Sequence, residues 1–192
     1  SGARRGLLMK GGAVIEAVAG GTQVAFDKTG TLTHGRPVVT DIVALGADGP
    51  EVLRLAAAVE AGSSHPLAQA ILGKAAGIAL PASSEARAIV GKGVSARVEG
   101  RALTVASPRL AADSGALAGD GLQQAAQLEG QGKTVAVLFD EHRALGLIAL
   151  RDEPRPDAAE AMRQLRALGL TPTILTGDNP RTAAAIAGDL GT

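Results

Sequence analysis

The sequence predicts an α/β protein, a doubly wound, Rossmann-like unit whose two halves flank an inserted α+β unit of antiparallel sheet and helices. Three observations carry this expectation. Thr22-Gln23-Val24-Ala25-Phe26 is a short apolar run that ends on Asp27, with a Thr/Gly-rich loop behind it. A helix, a strand, a polar loop and a second helix can be read between Asp157 and Leu190. Between these pieces the pattern changes to several short strands punctuated by Gly or charged turns.

Gly6 to Ala19 is mildly amphipathic, and Gly20-Gly21 then breaks the chain ahead of the first strand. The length and β-branched content of residues 22–26 favour a strand over a helix. Asp27 therefore stands at a strand's carboxyl end, where open α/β sheets bind their ligands.

In the second half, Ala158, Ala161, Met162, Leu165 and Leu168 form one helical stripe that stops at Gly169. Thr173 to Thr176 follows as a strand. After Gly177-Asp178, Asn179 suits an N-cap, Pro180 the first helical position and Gly191 the stop.

The insert reads as helices over Glu51 to Ala61 and Pro66 to Ala76. Strands are expected at Ala88 to Val90, Val94 to Glu99, Ala102 to Ala106, Val135 to Phe139 and Leu145 to Leu150. Consecutive short strands joined by tight turns imply an antiparallel sheet. The boundaries are 1–37 and 151–192 for the outer unit and 38–150 for the insert.

Bulk properties exclude several classes. Of 192 residues, 46% are hydrophobic and 20% charged, outside the disordered range. Lys plus Arg and Asp plus Glu number 19 each, so no net field points to nucleic acid. Without cysteine there are no disulfides and no thiolate metal sites. No apolar stretch reaches the ~20 residues of a membrane span. The opening Ser-Gly, without Met, reads as the start of a fragment of a longer protein.

A lone Asp after a strand is usually a turn or cap residue. Here Asp27 is followed by Lys28, three Thr hydroxyls and Gly30, a density of phosphate-binding donors that a structural turn does not need. A carboxylate so placed can attack phosphorus and form an acyl phosphate.

The string Asp27-Lys28-Thr29-Gly30-Thr31-Leu32-Thr33 resembles the phosphorylation signature of the P-type ATPases. The resemblance implies that Asp27 is the nucleophile and that the Thr29 carbonyl helps Asp27 hold Mg²⁺ while its hydroxyl contacts phosphate. Thr176-Gly177-Asp178-Asn179 resembles the family's second phosphate motif, with Thr176 on the transferred phosphoryl group and Asp178 near Mg²⁺ and nucleotide. Taken alone, that sequence is an ordinary capped loop.

Ser64-His65-Pro66-Leu67-Ala68 is similar to the His-Pro motif of the heavy-metal (P1B) branch, whose His contacts the adenine end of ATP. Glu60 lies at the family's spacing before it. An isolated His beside Pro is otherwise a helix-start residue. Gly91-Lys92-Gly93 resembles the branch's nucleotide-site glycine pair, where absent side chains let backbone approach the adenosine. Hairpin turns use the same residues. Gly132-Lys133-Thr134 is a decoy for a P-loop, since that motif requires Gly where the chain has Gln127, and it reads as a turn before the strand at Val135.

The resemblance covers about Arg5 to Thr192. It implies a haloacid dehalogenase-type phosphorylation domain with an inserted nucleotide-binding domain, ATP and Mg²⁺ as cofactors, and a place on the cytoplasmic face of the membrane. Partners are then the transmembrane and actuator domains of a parent pump, with the transported ion bound outside this chain. Thr22 to Thr33 and Thr176 to Ala187 are closer to the zinc, cadmium and lead exporters. Ala106-Ser107 stands where copper-type members usually carry Gly-Asn, although a copper-type pump stays an alternative. The family's phosphate-stabilising Lys and Gly-Asp-Gly-x-Asn-Asp loop do not occur in these residues. Two rivals remain open: a nucleotide-binding module without turnover, and a soluble haloacid dehalogenase-type phosphatase. The phosphatases place a second Asp two residues after the nucleophile, where this chain has Thr29.

Overall fold

Two separate sheets organise the chain, seen in a computed structural model that describes residues 22–89, 93–175, 182, 184, 185 and 188. In chain order the strands are β1 (Gln23–Asp27), β2 (Val38–Ala44), β3 (Ser83–Ile89), β4 (Gly93–Val98), β5 (Arg101–Ala106), β6 (Thr134–Phe139), β7 (Ala144–Arg151) and β8 (Thr171–Leu175). The helices are α1 (Gly49–Glu60), α2 (Pro66–Lys74), α3 (Pro108–Asp113), α4 (Gly119–Gly130) and α5 (Ala158–Ala167).

The smaller sheet is the parallel pair β1 and β8. The larger one is antiparallel throughout, in the order β2-β7-β6-β5-β4-β3. It is packed on both faces, which explains why β6 and β7 read as nearly continuous apolar runs. Ala136 and Leu138 of β6 join a core with α1 and Ile71 of α2. Val135, Val137 and Phe139, pointing the other way, join a second core with Ala111 of α3 and Ala125 and Leu128 of α4. Close approach of α1 needs Gly146, because a Cβ there would lie 2.5 Å from Val52 Cγ2 and 2.7 Å from the Val43 carbonyl.

Local chemistry sets the helix starts. Asp48 caps α1 by accepting from the Glu51 N–H, with Pro following in the first turn. Ser107 caps α3 in the same way through the Leu110 N–H. Glu99 (φ +51°) and Gly100 (φ +78°) both lie in left-handed backbone, as the two-residue turn joining β4 to β5 requires. Arg54 of α1 grips that turn, binding both Glu99 carboxylate oxygens at 2.8 and 3.0 Å while also pairing with Glu51.

The expected antiparallel sheet is present, with three differences. β2, α3 and α4 have no counterpart in the sequence reading. β3 begins at Ser83, well before the expected Ala88, and all but its last residue are exposed, so no alternation marked it. On α5 the stripe is narrower than expected: Ala158 and Met162 are buried, but Ala161 is exposed and Leu168, just past the helix, is 76% exposed. Gly6 to Ala19, Asn179, Pro180 and Gly191 lie outside the described residues.

Candidate functional site

Asp27 ends β1 and pairs in register with Leu175, the last residue of β8. Asp27 and Leu175 thus end their strands at the same end of one parallel pair. Lys28–Leu32 forms a single wide, π-type turn with Gly30 at φ +79°. For Asp27 and Thr29 it is the backbone that is described; Thr176, Gly177 and Asp178 lie outside the described residues.

The turn is fixed from below and behind. Leu32 is buried with Ala158 and Met162, and Phe26 packs against them. Thr33, fully buried, accepts from the Gly30 N–H at 3.3 Å and donates its hydroxyl to Asp152 Oδ2 at 2.5 Å. The same carboxylate accepts from the Gly35 N–H at 3.1 Å and the Arg36 N–H at 3.0 Å. Backbone bonds from His34 N–H to the Glu153 carbonyl and from Arg155 N–H to the Leu32 carbonyl complete the junction. The two chain crossings between the sheets therefore run side by side, with Thr33 bridged to Pro154. Sequence reasoning missed Asp152. Its signal was the charged, Pro-punctuated run Arg151-Asp152-Glu153-Pro154-Arg155-Pro156 directly after a strand.

Glu60 and His65 lie at the facing ends of α1 and α2. Glu60 is the last residue of α1 and is 6% exposed. Its Oε2 is buried with no hydrogen-bond partner. Burial raises its carboxyl pKa above the ordinary 4.5, and a smaller opposing effect comes from a hydrogen bond with the Ser63 side chain. His65 is the N-cap of α2, and its Nδ1 accepts from the Leu67 N–H at 3.2 Å. That bond leaves Nε2 to carry the proton of the neutral ring. The helix-start role and an exposed, oriented Nε2 are thus two faces of one placement.

Gly93 opens β4 at φ +151°. A Cβ on it would lie 2.2 Å from the Val105 carbonyl and 2.7 Å from Ala106 Cβ. The glycine is demanded by the neighbouring strand itself, a reason separate from the ligand approach expected of it. Gly91 lies outside the described residues. The suspected P-loop decoy is a turn: Gly132 has φ +77° and β6 begins at Thr134. Among the described residues no cluster of three acidic or His side chains could hold a metal ion, and no helix is long and apolar enough to cross a membrane.

A parallel pair with an Asp at the end of its first strand, interrupted by a large insert, defines a class. Residues 23–192 match the haloacid dehalogenase-like hydrolases, and the chain belongs to that family. Within it the chain is similar to heavy-metal P-type ATPases. It is 52% identical, over 98% of its length, to the zinc/cadmium/lead-transporting P-type ATPase of Escherichia coli (strain K12), and spans 26% of that relative. The chain thus corresponds to about a quarter of the curated relatives it matches. Among solved structures, a zinc-transporting PIB-type ATPase in the E2.Pi state is 49% identical with a TM-score of 0.63, covering 98% of this chain and 31% of that one. The N-domain of a copper-transporting P-type ATPase is 26% identical with a TM-score of 0.52, covering 60% of this chain and 99% of that one.

Proposed function

We propose that this chain is the ATP-binding and phosphorylation portion of a heavy-metal-translocating P-type ATPase. Asp27 takes the γ-phosphate of ATP, and turnover of the aspartyl phosphate drives export of a cation of the zinc, cadmium and lead group. One observation carries the reading: Asp27 and Leu175 are register partners at one sheet end, and Leu175 directly precedes the second motif in sequence. Likeness to zinc-transporting relatives, at 52% and 49% identity, supports the choice of ion over copper.

The phosphorylation domain comprises residues 1–37 and 151–192, and the nucleotide-binding domain 38–150. This division follows the two sheets and is supported by the likeness of an isolated N-domain to 60% of the chain. ATP lies with its adenine end near Glu60 and His65, beside Gly91 and Gly93. The unpartnered Glu60 Oε2 suits a donor such as an exocyclic amine, and His65 Nε2 offers a donor of its own. At the other end, Thr29, Thr176, Gly177 and Asp178 hold phosphate.

A carboxylate oxygen of Asp27 forms the new bond to the γ-phosphorus as the bond to the bridging oxygen breaks, and ADP leaves with that oxygen. Catalysis is mostly positioning and charge neutralisation. Asp27 and the Thr29 carbonyl are oxygen donors of the kind Mg²⁺ prefers, and the ion supplies neutralisation of the repulsion between carboxylate and triphosphate. The parent protein sits in a membrane with this portion at its cytoplasmic face, joined to transmembrane and actuator domains.

Incubating the chain with γ-labelled ATP and Mg²⁺ tests the reading. Acid-stable label that disappears in Asp27→Asn is expected. ATP binding with no label on the unsubstituted chain would instead favour a nucleotide-binding module without turnover.

A further inference from the structure

Away from both candidate sites, one turn of the larger sheet ties three parts of the chain together. It comprises Gln131, Gly132 and Lys133, between α4 and β6. Arg151, where the chain leaves the larger sheet, donates from Nη1 to the Gln131 carbonyl at 3.2 Å. Lys133 Nζ reaches Asp41 Oδ2 on β2 at 2.6 Å, spanning β7. The Lys133 carbonyl accepts from Thr182 Oγ1 at 3.0 Å. Thr182 is 1% exposed and follows the second phosphate motif by a few residues.

The mechanical consequence comes from the junction. The two crossings lie side by side, joined by the Thr33 to Pro154 bridge and by Asp152. Paired crossings form a single hinge line, and rotation about that line is the freedom they leave. A contact away from the line that joins the two units removes it. Thr182 on Lys133 is such a contact, and the Asp41 and Arg151 bonds keep the turn from yielding.

We propose that this turn is a stop for domain rotation and that the Thr182 hydroxyl is a positioning group. It fixes the orientation of the larger sheet relative to the Asp27 loop while touching no reacting atom. The importance of that orientation rests on the reading that a nucleotide on the larger unit delivers phosphate to Asp27.

Thr182→Val removes the donor at nearly constant shape, and Thr182→Ser keeps it. Residual dipolar couplings in the 192-residue chain compare amides of the larger sheet with those of β1, α5 and β8. Thr182→Val should lower the equilibrium constant for the docked orientation about two- to tenfold, the worth of one hydrogen bond. Thr182→Ser should restore it. ATP affinity, followed on the His65 and Gly93 amides, should stay within about twofold, because one such bond to a remote turn leaves the binding residues intact. An unchanged orientation in Thr182→Val, or an equal loss in Thr182→Ser, would overturn the proposal. The nucleotide reading fails separately, if ATP shifts no amide of the unsubstituted chain; the orientation measurement needs no nucleotide and decides the stop in either case.

Discussion

Thr33 and Asp152 are 119 residues apart in sequence and share a 2.5 Å hydrogen bond. Through it the turn that follows Asp27 is tied to the segment by which the chain returns from the larger sheet. The carboxylate also holds the Gly35 and Arg36 amides, so one side chain serves three donors across the junction.

Asp152→Ala strands those donors. Hydrogen bonds to a charged group contribute about 1.5–3 kcal/mol and are not additive here, so a loss of about 2 kcal/mol is expected in urea unfolding. Faster amide exchange at Gly30, Gly35 and Arg36 should accompany it. Unaltered exchange at Gly30 would show that Thr33 holds the turn without Asp152.

Glu60 sets a pH dependence. Its folded pKa lies above the ordinary 4.5, chiefly through burial. The folded chain then keeps this proton to higher pH than the unfolded chain does. Stability from the neutral acid is complete below pH 4.5 and is lost as pH rises through the raised value. Glu60→Gln should flatten that slope and stabilise the apo chain at neutral pH, because it removes the buried charge while keeping the shape. ATP binding should weaken in the same variant. Denaturation curves from pH 4 to 8, with the unsubstituted chain alongside, provide the check; parallel slopes would contradict the assignment.

Gly93 separates two explanations of a glycine. If its service were only to let a nucleotide approach, Gly93→Ala would lower affinity and leave stability alone. The 2.2 Å approach to the Val105 carbonyl predicts instead a loss of about 2–4 kcal/mol without nucleotide, from overpacking plus backbone strain. Thermal unfolding of the apo variant distinguishes the two.

The pair of Asp41 and Lys133 governs acid behaviour of the turn. The Lys133 hydrogen bond, then that of Thr40, hold the Asp41 carboxyl below its ordinary 3.8. Stability from this pair is present above pH 3.8 and fades as pH falls through the lowered value. With both side chains partly exposed, Asp41→Asn should cost no more than about 1 kcal/mol at pH 7 and less in high salt. A salt-independent loss would place the effect in packing.

Much of the fold could be read from sequence because it rests on local pattern. β6 and β7 announced themselves as apolar runs, and the Asp27 loop by its density of donors. Other elements left no local mark. α4 is rich in Gln, Ala and Gly and turns few large apolar residues inward, and β3 is exposed almost throughout. Asp152 acts on partners at residues 33, 35 and 36, a relationship no window of sequence contains. The glycine at 93 is legible as a residue that must lack a side chain, but the close approach of β5 that demands it is not. Glu60 and His65 were recognisable by spacing; the orphaned oxygen and the fixed ring were not.

Val38 and Arg151, the first residue of β2 and the last of β7, are direct partners on adjacent strands. The larger sheet thus begins and ends at one doorway, about 5 Å wide for opposed antiparallel residues. A short turn joining Pro37 to Asp152 in its place would close the remaining protein over the gap, and the same span would close the excised unit on itself. Such a geometry is that of a cassette, with both seams falling at a single edge of the larger sheet.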